Sequence, residues 1–177
     1  MESPSSSKST GILQVIGGLY ILFGSFALVS MVQNCRLSFA PLDGQTGLMA
    51  DMLRSNPAYA SIMRALFFPG MLYALLQFAS GVGLLRLSKF ARKVALGCAL
   101  YGFVAALYTA WLTVTYTLPF TLDYTMQQVK NPDMIVTTRN VTLASGYFGI
   151  ALGLLYPLVA FILLKRTPIP RYDFTQS

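Results

Sequence analysis

The sequence predicts an all-α, polytopic membrane protein with four transmembrane helices in two hairpins and a short amphipathic helix in each outer loop. Three observations predict it. Four apolar blocks of about 20 residues contain no Asp, Glu, Lys or Arg, and that length crosses a hydrocarbon core of ~30 Å. Charged residues make up 11% of the chain and hydrophobic residues 55%, whereas soluble domains are about 25% charged. The 13 Lys and Arg gather mostly at the ends of the blocks, as membrane anchors do.

The segments are Gly11–Val32, Pro69–Leu85, Val94–Leu118 and Thr142–Leu164. The first apolar run is longer than a signal-peptide core and lacks a small-residue cleavage site, so it reads as a mature helix. The second is the shortest and can extend back over Ala65–Phe68 if Pro69 kinks a helix rather than starting one. Residues 1–10 are polar and Ser-rich, which predicts a disordered tail. Residues 165–177 form a second tail, where Pro168 and Pro170 stop the last helix.

The loop after the first segment turns at Pro41, Asp43 and Gly44. Leu48, Met49, Met52 and Leu53 then recur at helical spacing, with Asp51 and Arg54 off that face. The loop before the fourth segment repeats the pattern: Leu122, Met126 and Val129 share a face, with Asp123, Gln127 and Lys130 off it. Both helices are expected to lie at the outer interface. Asn56-Pro57 precedes Arg64 at the spacing by which Asn131-Pro132 precedes Arg139, with Thr46 and Thr121 equally far upstream. A tandem repeat of two hairpins accounts for this, as do two independent helix starts, because Asn caps helices and Pro suits their first turn.

Lys8, Arg86, Lys89, Arg92, Lys93, Lys165, Arg166 and Arg171 fall on one side of the predicted topology. Arg36, Arg54, Arg64, Lys130 and Arg139 are spread through longer loops on the other. The positive-inside rule therefore puts both termini in the cytoplasm. The net charge of +7 serves this topology, and no nucleic-acid partner is expected. Arg86, Lys89, Arg92 and Lys93 form a cytoplasmic basic anchor for anionic headgroups. Cys35 and Cys98 fall near opposite sides of the bilayer, too far apart for a disulfide, and are expected to be free thiols.

Ionisable residues inside a bilayer mark transport and relay sites, and these segments hold none. The candidates are therefore uncharged. Ser145, Gly149 and Gly153 repeat every four residues, and Pro157 continues the stripe. Gly11, Gly18 and Ser25 share a face of the first segment at heptad spacing. Such stripes let helices approach closely, either inside the bundle or in a homodimer. Gln77 is the most polar side chain deep in the membrane and must find a partner, with Tyr20, Ser25, Tyr101, Tyr108 and Thr109 as candidates. Tyr101 and Tyr108 share a face and can line a cavity. Phe67, Phe68, Trp111, Tyr116, Phe120 and Tyr147 read as an interfacial aromatic belt. Asn140-Val141-Thr142 matches a glycosylation sequon but sits at the membrane edge, where an acceptor is poorly reachable.

The topology resembles that of claudins, without their outer-loop W…GLW…C…C signature. The acid of small multidrug transporters, the C-x-x-C of quinone-linked thiol oxidoreductases and the His ligands of haem-b cytochromes are also absent. The stretch from Gly81 to Arg92, a helix end running into a basic loop, resembles small bacterial membrane proteins. No cofactor, metal or catalytic residue is expected, and the protein is read as non-enzymatic. The leading expectation is an accessory or scaffold protein of a cell membrane, the bacterial inner membrane, working through lipid and helix–helix contacts. Its partners would be the bilayer and either further copies of itself or another membrane protein. The alternative is a protein that binds or transports an apolar or lipid-like molecule in an uncharged intramembrane cavity.

Overall fold

The computed structural model describes residues 4–39, 45–129 and 134–167, and every regular element among them is helical. The order is α1 (Pro4–Phe39), α2 (Leu48–Ser55), α3 (Pro57–Leu85), α4 (Lys89–Leu112), a π-helical turn (Thr113–Thr117), α5 (Leu118–Gln128) and α6 (Ile135–Arg166). Four helical stretches are long and apolar enough to cross a membrane: Thr10–Gln33, Pro57–Leu85, Lys89–Gln128 and Ile135–Arg166. The chain is thus an all-α polytopic membrane protein. Side chains such as Leu22, Phe26 and Val29 on α1, and Phe148 and Leu155 on α6, are more than half exposed on its outer faces. In a bilayer those faces meet lipid at no hydrophobic cost.

Two helical ends differ from the sequence reading. α1 starts at Pro4, so helix replaces the expected disordered tail from there onward. Pro suits a helix's first turn, and adding residues to a formed helix is far cheaper than nucleating one. α3 starts at Pro57, and Pro69 lies inside it. The Asn56 side chain accepts from the Tyr59 amide at 3.2 Å, so Asn56-Pro57 acts as a cap and first helical residue. Asn131-Pro132, the turn at Pro41–Gly44 and both tail prolines lie outside the described residues.

The two loop helices also form, in different ways. α2 turns Ala50, Met52 and Leu53 inward, onto a cluster with Tyr59 and Ala60 that Met49, Met63, Tyr116 and Phe120 extend. Its apolar face is therefore covered by protein. α5 continues α4 through the π turn instead of lying as a separate helix. Pro119 supplies the physical reason. It has no amide proton to give residue 115, and its ring crowds that carbonyl, so the turn just before it widens. The order long helix, short helix, long helix thus occurs twice, with the second short helix fused to its predecessor.

α1 packs along α3, α3 along α4, and α4 along α6, while α1 and α6 touch only narrowly. The main core lies at the end where α1 begins and α6 finishes. There Leu13, Ile16 and Tyr20 of α1 meet Leu84, Ala95, Cys98, Ala99, Ala160 and Leu164. α3 and α4 join through a tight turn. Ser88 N–H donates to Gly83 O at 3.0 Å and Leu87 N–H to Leu84 O at 3.0 Å, with Leu87 at φ 54°. This is a Schellman closure with Leu where Gly is usual. Leu87 packs against the main core, which offsets part of the left-handed strain of ~1–2 kcal/mol. Ser88 then caps α4 by accepting from the Ala91 amide at 3.4 Å.

Candidate functional site

A cavity of about 490 Å³ opens between α3 and α4 in the half of the bundle nearer the long loops. It falls between the two core clusters. Tyr59, Met63, Leu66, Phe67, Gly70 and Tyr73 form the α3 wall. Tyr101, Val104, Ala105, Tyr108, Thr109 and Leu112 form the α4 wall, with Thr113 and Thr117 of the π turn at the end and Met31 of α1 at the side. On each wall these residues recur every three or four positions, so each is one helical face. Tyr59 packs against Tyr116 at 5.6 Å between ring centroids near the loop end. Tyr73 packs against Tyr101 at 5.1 Å near mid-span. Departures from α-helical geometry at membrane depth are tolerated where they line a cavity, and π turns recur at functional sites.

None of the lining residues is Asp, Glu, Lys, Arg or His. The walls offer aliphatic and aromatic surface plus the hydroxyls of Tyr59, Tyr73, Tyr101, Tyr108 and three threonines. Thr113 Oγ1 donates to Thr109 O at 2.8 Å within the helix. The volume lies within the ~300–1,000 Å³ of ligand sites, which are mostly apolar with a few placed polar groups. A second groove of about 240 Å³, where α1 and α6 diverge, is lined by aliphatic side chains and Tyr156 alone. Among the described residues, no three His, Cys, Asp or Glu side chains come together as a metal could use.

Tyr101 and Tyr108 line this cavity, as their shared face implied. Gln77 does not. It is 3% exposed, inside the bundle, and its Nε2 donates to Tyr156 Oη on α6 at 3.0 Å. That partner replaces the ones anticipated on the first and third segments, of which Tyr20 donates its Oη to Ala95 O at 3.0 Å instead. Ser80 Oγ donates to Gln77 O at 2.9 Å. Gln77, Tyr156, Tyr20 and Ser80 thus form an internally satisfied polar cluster below the cavity.

The small-residue stripes are corrected within the monomer. Ser145, Gly149 and Gly153 are exposed, and neither glycine has another atom within 4 Å of where a Cβ would stand. Pro157 is buried, so the stripe rotates out of the bundle before it. On α1, Gly18 is likewise open and Ser25 only half-buried. The close approach uses Gly17 and Gly24 instead, one residue back. A Cβ on Gly81 of α3 would stand 2.8 Å from Gly17 O, and one on Gly24 would stand 2.8 Å from the Phe78 nitrogen. One residue is a rotation of about 100° on a helix, which decides whether a stripe faces a neighbour or lipid.

The basic anchor divides. Arg86, Lys89 and Lys93 are exposed. Arg92 is half-buried and donates to Leu164 O through Nε at 3.0 Å and Nη2 at 2.7 Å, clamping the C-terminus of α6. The aromatic belt divides too. Phe68, Trp111 and Tyr147 are exposed, whereas Phe67 is buried in the cavity wall and Tyr116 and Phe120 pack against the α2 cluster. Both cysteines are free thiols, Cys35 exposed and Cys98 buried. No protein-family model matches the chain, and neither do any curated proteins or solved structures.

Proposed function

We propose that this protein binds an apolar or lipid-like small molecule, without catalysing a reaction, in the cavity between α3 and α4. The observation that carries the reading is the lining: two apolar helical faces with tyrosine and threonine hydroxyls but no Asp, Glu, Lys, Arg or His. Such a site reaches its ligand from the membrane, where apolar molecules concentrate. The eight-to-five division of Lys and Arg supports cytoplasmic termini in a cell membrane, which puts the cavity in the outer leaflet.

The test is photolabelling of the full chain in vesicles with a hexadecanol that carries a diazirine in its tail. Labelling should be saturable, fall on peptides of the two walls, and be competed by unlabelled hexadecanol. Ala105→Trp fills the cavity and should abolish it; Leu107→Trp, on an exposed face outside the lining, should not. Labelling that neither saturates nor distinguishes these variants sinks the reading.

A second reading, the accessory or scaffold protein, is favoured by the exposed Ser145–Gly149–Gly153 stripe on α6. That face is shaped for close approach to a helix of another copy or another membrane protein. Cross-linking in vesicles should then give a dimer that Gly149→Leu removes; a parent chain that stays monomeric excludes self-association.

A further inference from the structure

A second chamber of about 490 Å³ adjoins the cavity at the Tyr73–Tyr101 pair and lies along the same α3–α4 seam toward the α3–α4 turn, lined by Leu72, Leu76, Val94 and Gly97 and open at the bundle surface, where Leu72, Leu76 and Gly97 are exposed. Both chambers include Tyr73 and Tyr101, so that ring pair is the wall they share. The two differ in chemistry. Threonine and tyrosine hydroxyls collect at the loop end of the upper chamber, at Tyr108, Thr109, Thr113 and Thr117. Below the pair the lining is aliphatic apart from Cys98. From Tyr59 to Tyr73 the α3 wall alone rises ~21 Å, at ~1.5 Å per residue.

Resting on the ligand-binding reading above, we infer that the ligand is a long single-chain amphiphile with an uncharged, hydrogen-bonding headgroup. Its headgroup lies among the hydroxyls at the loop end, and its tail passes the Tyr73–Tyr101 pair into the lower chamber. Hydroxyls can pair an alcohol, ester or amide. They cannot balance a buried charge, and neither chamber supplies a counter-ion. Arg64, a neighbour of Met63 in sequence, does not line either chamber. Gly102 seats the ring that the tail must pass: a Cβ there would stand 2.5 Å from Tyr73 Oη and 3.5 Å from Pro157 Cβ. The head-to-tail direction is also that of a lipid in the adjoining leaflet, so the molecule can slide in sideways without turning over.

The experiment uses three probes with the same sixteen-carbon chain and a tail-end diazirine: hexadecanol, hexadecyl sulfate and hexadecyltrimethylammonium. Hexadecanol should label the lower-chamber peptides around Leu72–Leu76 and Val94–Gly97 at least about tenfold more than either ion, since an unpaired buried charge costs more than that factor. A hexadecanol with its diazirine beside the hydroxyl should label Tyr108–Thr117 instead. Gly97→Phe obstructs the lower chamber at a position with nothing within 4 Å of its Cβ site, so the fold tolerates it. It should weaken competition by hexadecanol several-fold and leave octanol unchanged. Equal labelling of the seam by all three probes overturns the headgroup inference and leaves ligand binding standing. Reversed head and tail labelling, or indifference to Gly97→Phe, overturns the binding mode. Absence of seam labelling by every probe defeats the ligand-binding reading itself.

Discussion

Gln77 Nε2 donates to Tyr156 Oη at 3.0 Å, joining α3 to α6 in the interior of the bundle. Hydrogen bonds between membrane helices average ~0.6 kcal/mol in double-mutant cycles. Gln77→Leu and Tyr156→Phe should each lower thermal stability in detergent slightly. The double variant should lose less than the sum, with a coupling of about that size. Additive losses would mean that the pair is not bonded in the folded protein.

Glycine substitutions should separate the two kinds of stripe. Gly81→Leu places atoms where the Gly17 carbonyl and the Ile21 nitrogen already stand, 2.8 Å from the Cβ position. Overpacking of this sort costs ~1–3 kcal/mol, and more when backbone rather than a side chain must move. Gly149→Leu has open space and should leave monomer stability unchanged. Unfolding of both variants in detergent at low protein concentration checks this; equal losses would place Gly149 inside the bundle after all.

Arg92→Ala should fray the end of α6. It removes the charged donor from the Leu164 carbonyl, a class of bond worth ~1.5–3 kcal/mol, toward the low end at this half-exposed site. Lys93→Ala, at an exposed neighbour, is the control. Hydrogen exchange at Leu163–Thr167 should accelerate only in the Arg92 variant. Equal rates in the two would reduce Arg92 to a headgroup contact like the lysines around it.

Orientation is read by accessibility. In a Cys35→Ser, Cys98→Ala background, Lys89→Cys should react with an impermeant maleimide only from the cytoplasmic side, and Gln128→Cys only from outside. The warrant is the Lys and Arg bias between the two sides. Labelling of Lys89→Cys from outside would invert the topology and move the cavity to the inner leaflet.

The number of membrane helices, their approximate spans and the absence of Asp, Glu, Lys and Arg within the apolar segments were determined by the sequence alone. Those features are local: a run of apolar residues of bilayer length has one stable solution, because its backbone must satisfy itself as helix. The shared face of Tyr101 and Tyr108 and the Asn56-Pro57 helix start were legible for the same reason. Pairings between helices were not. α1 carries two glycine stripes one residue apart, Gly11–Gly18 and Gly17–Gly24, and only the facing surface of α3 selects the second. Tyr156 was missed as the partner of Gln77 because 79 residues separate them and only the packing of α6 brings them together. Pro119 was a visible signal for the interrupted helix, but its consequence needed context: a helix that continues past the proline, widened into the π turn that closes the cavity. Helical periodicity determines which residues share a face; only tertiary packing decides what that face meets, since rotation about the helix axis leaves every local hydrogen bond unchanged.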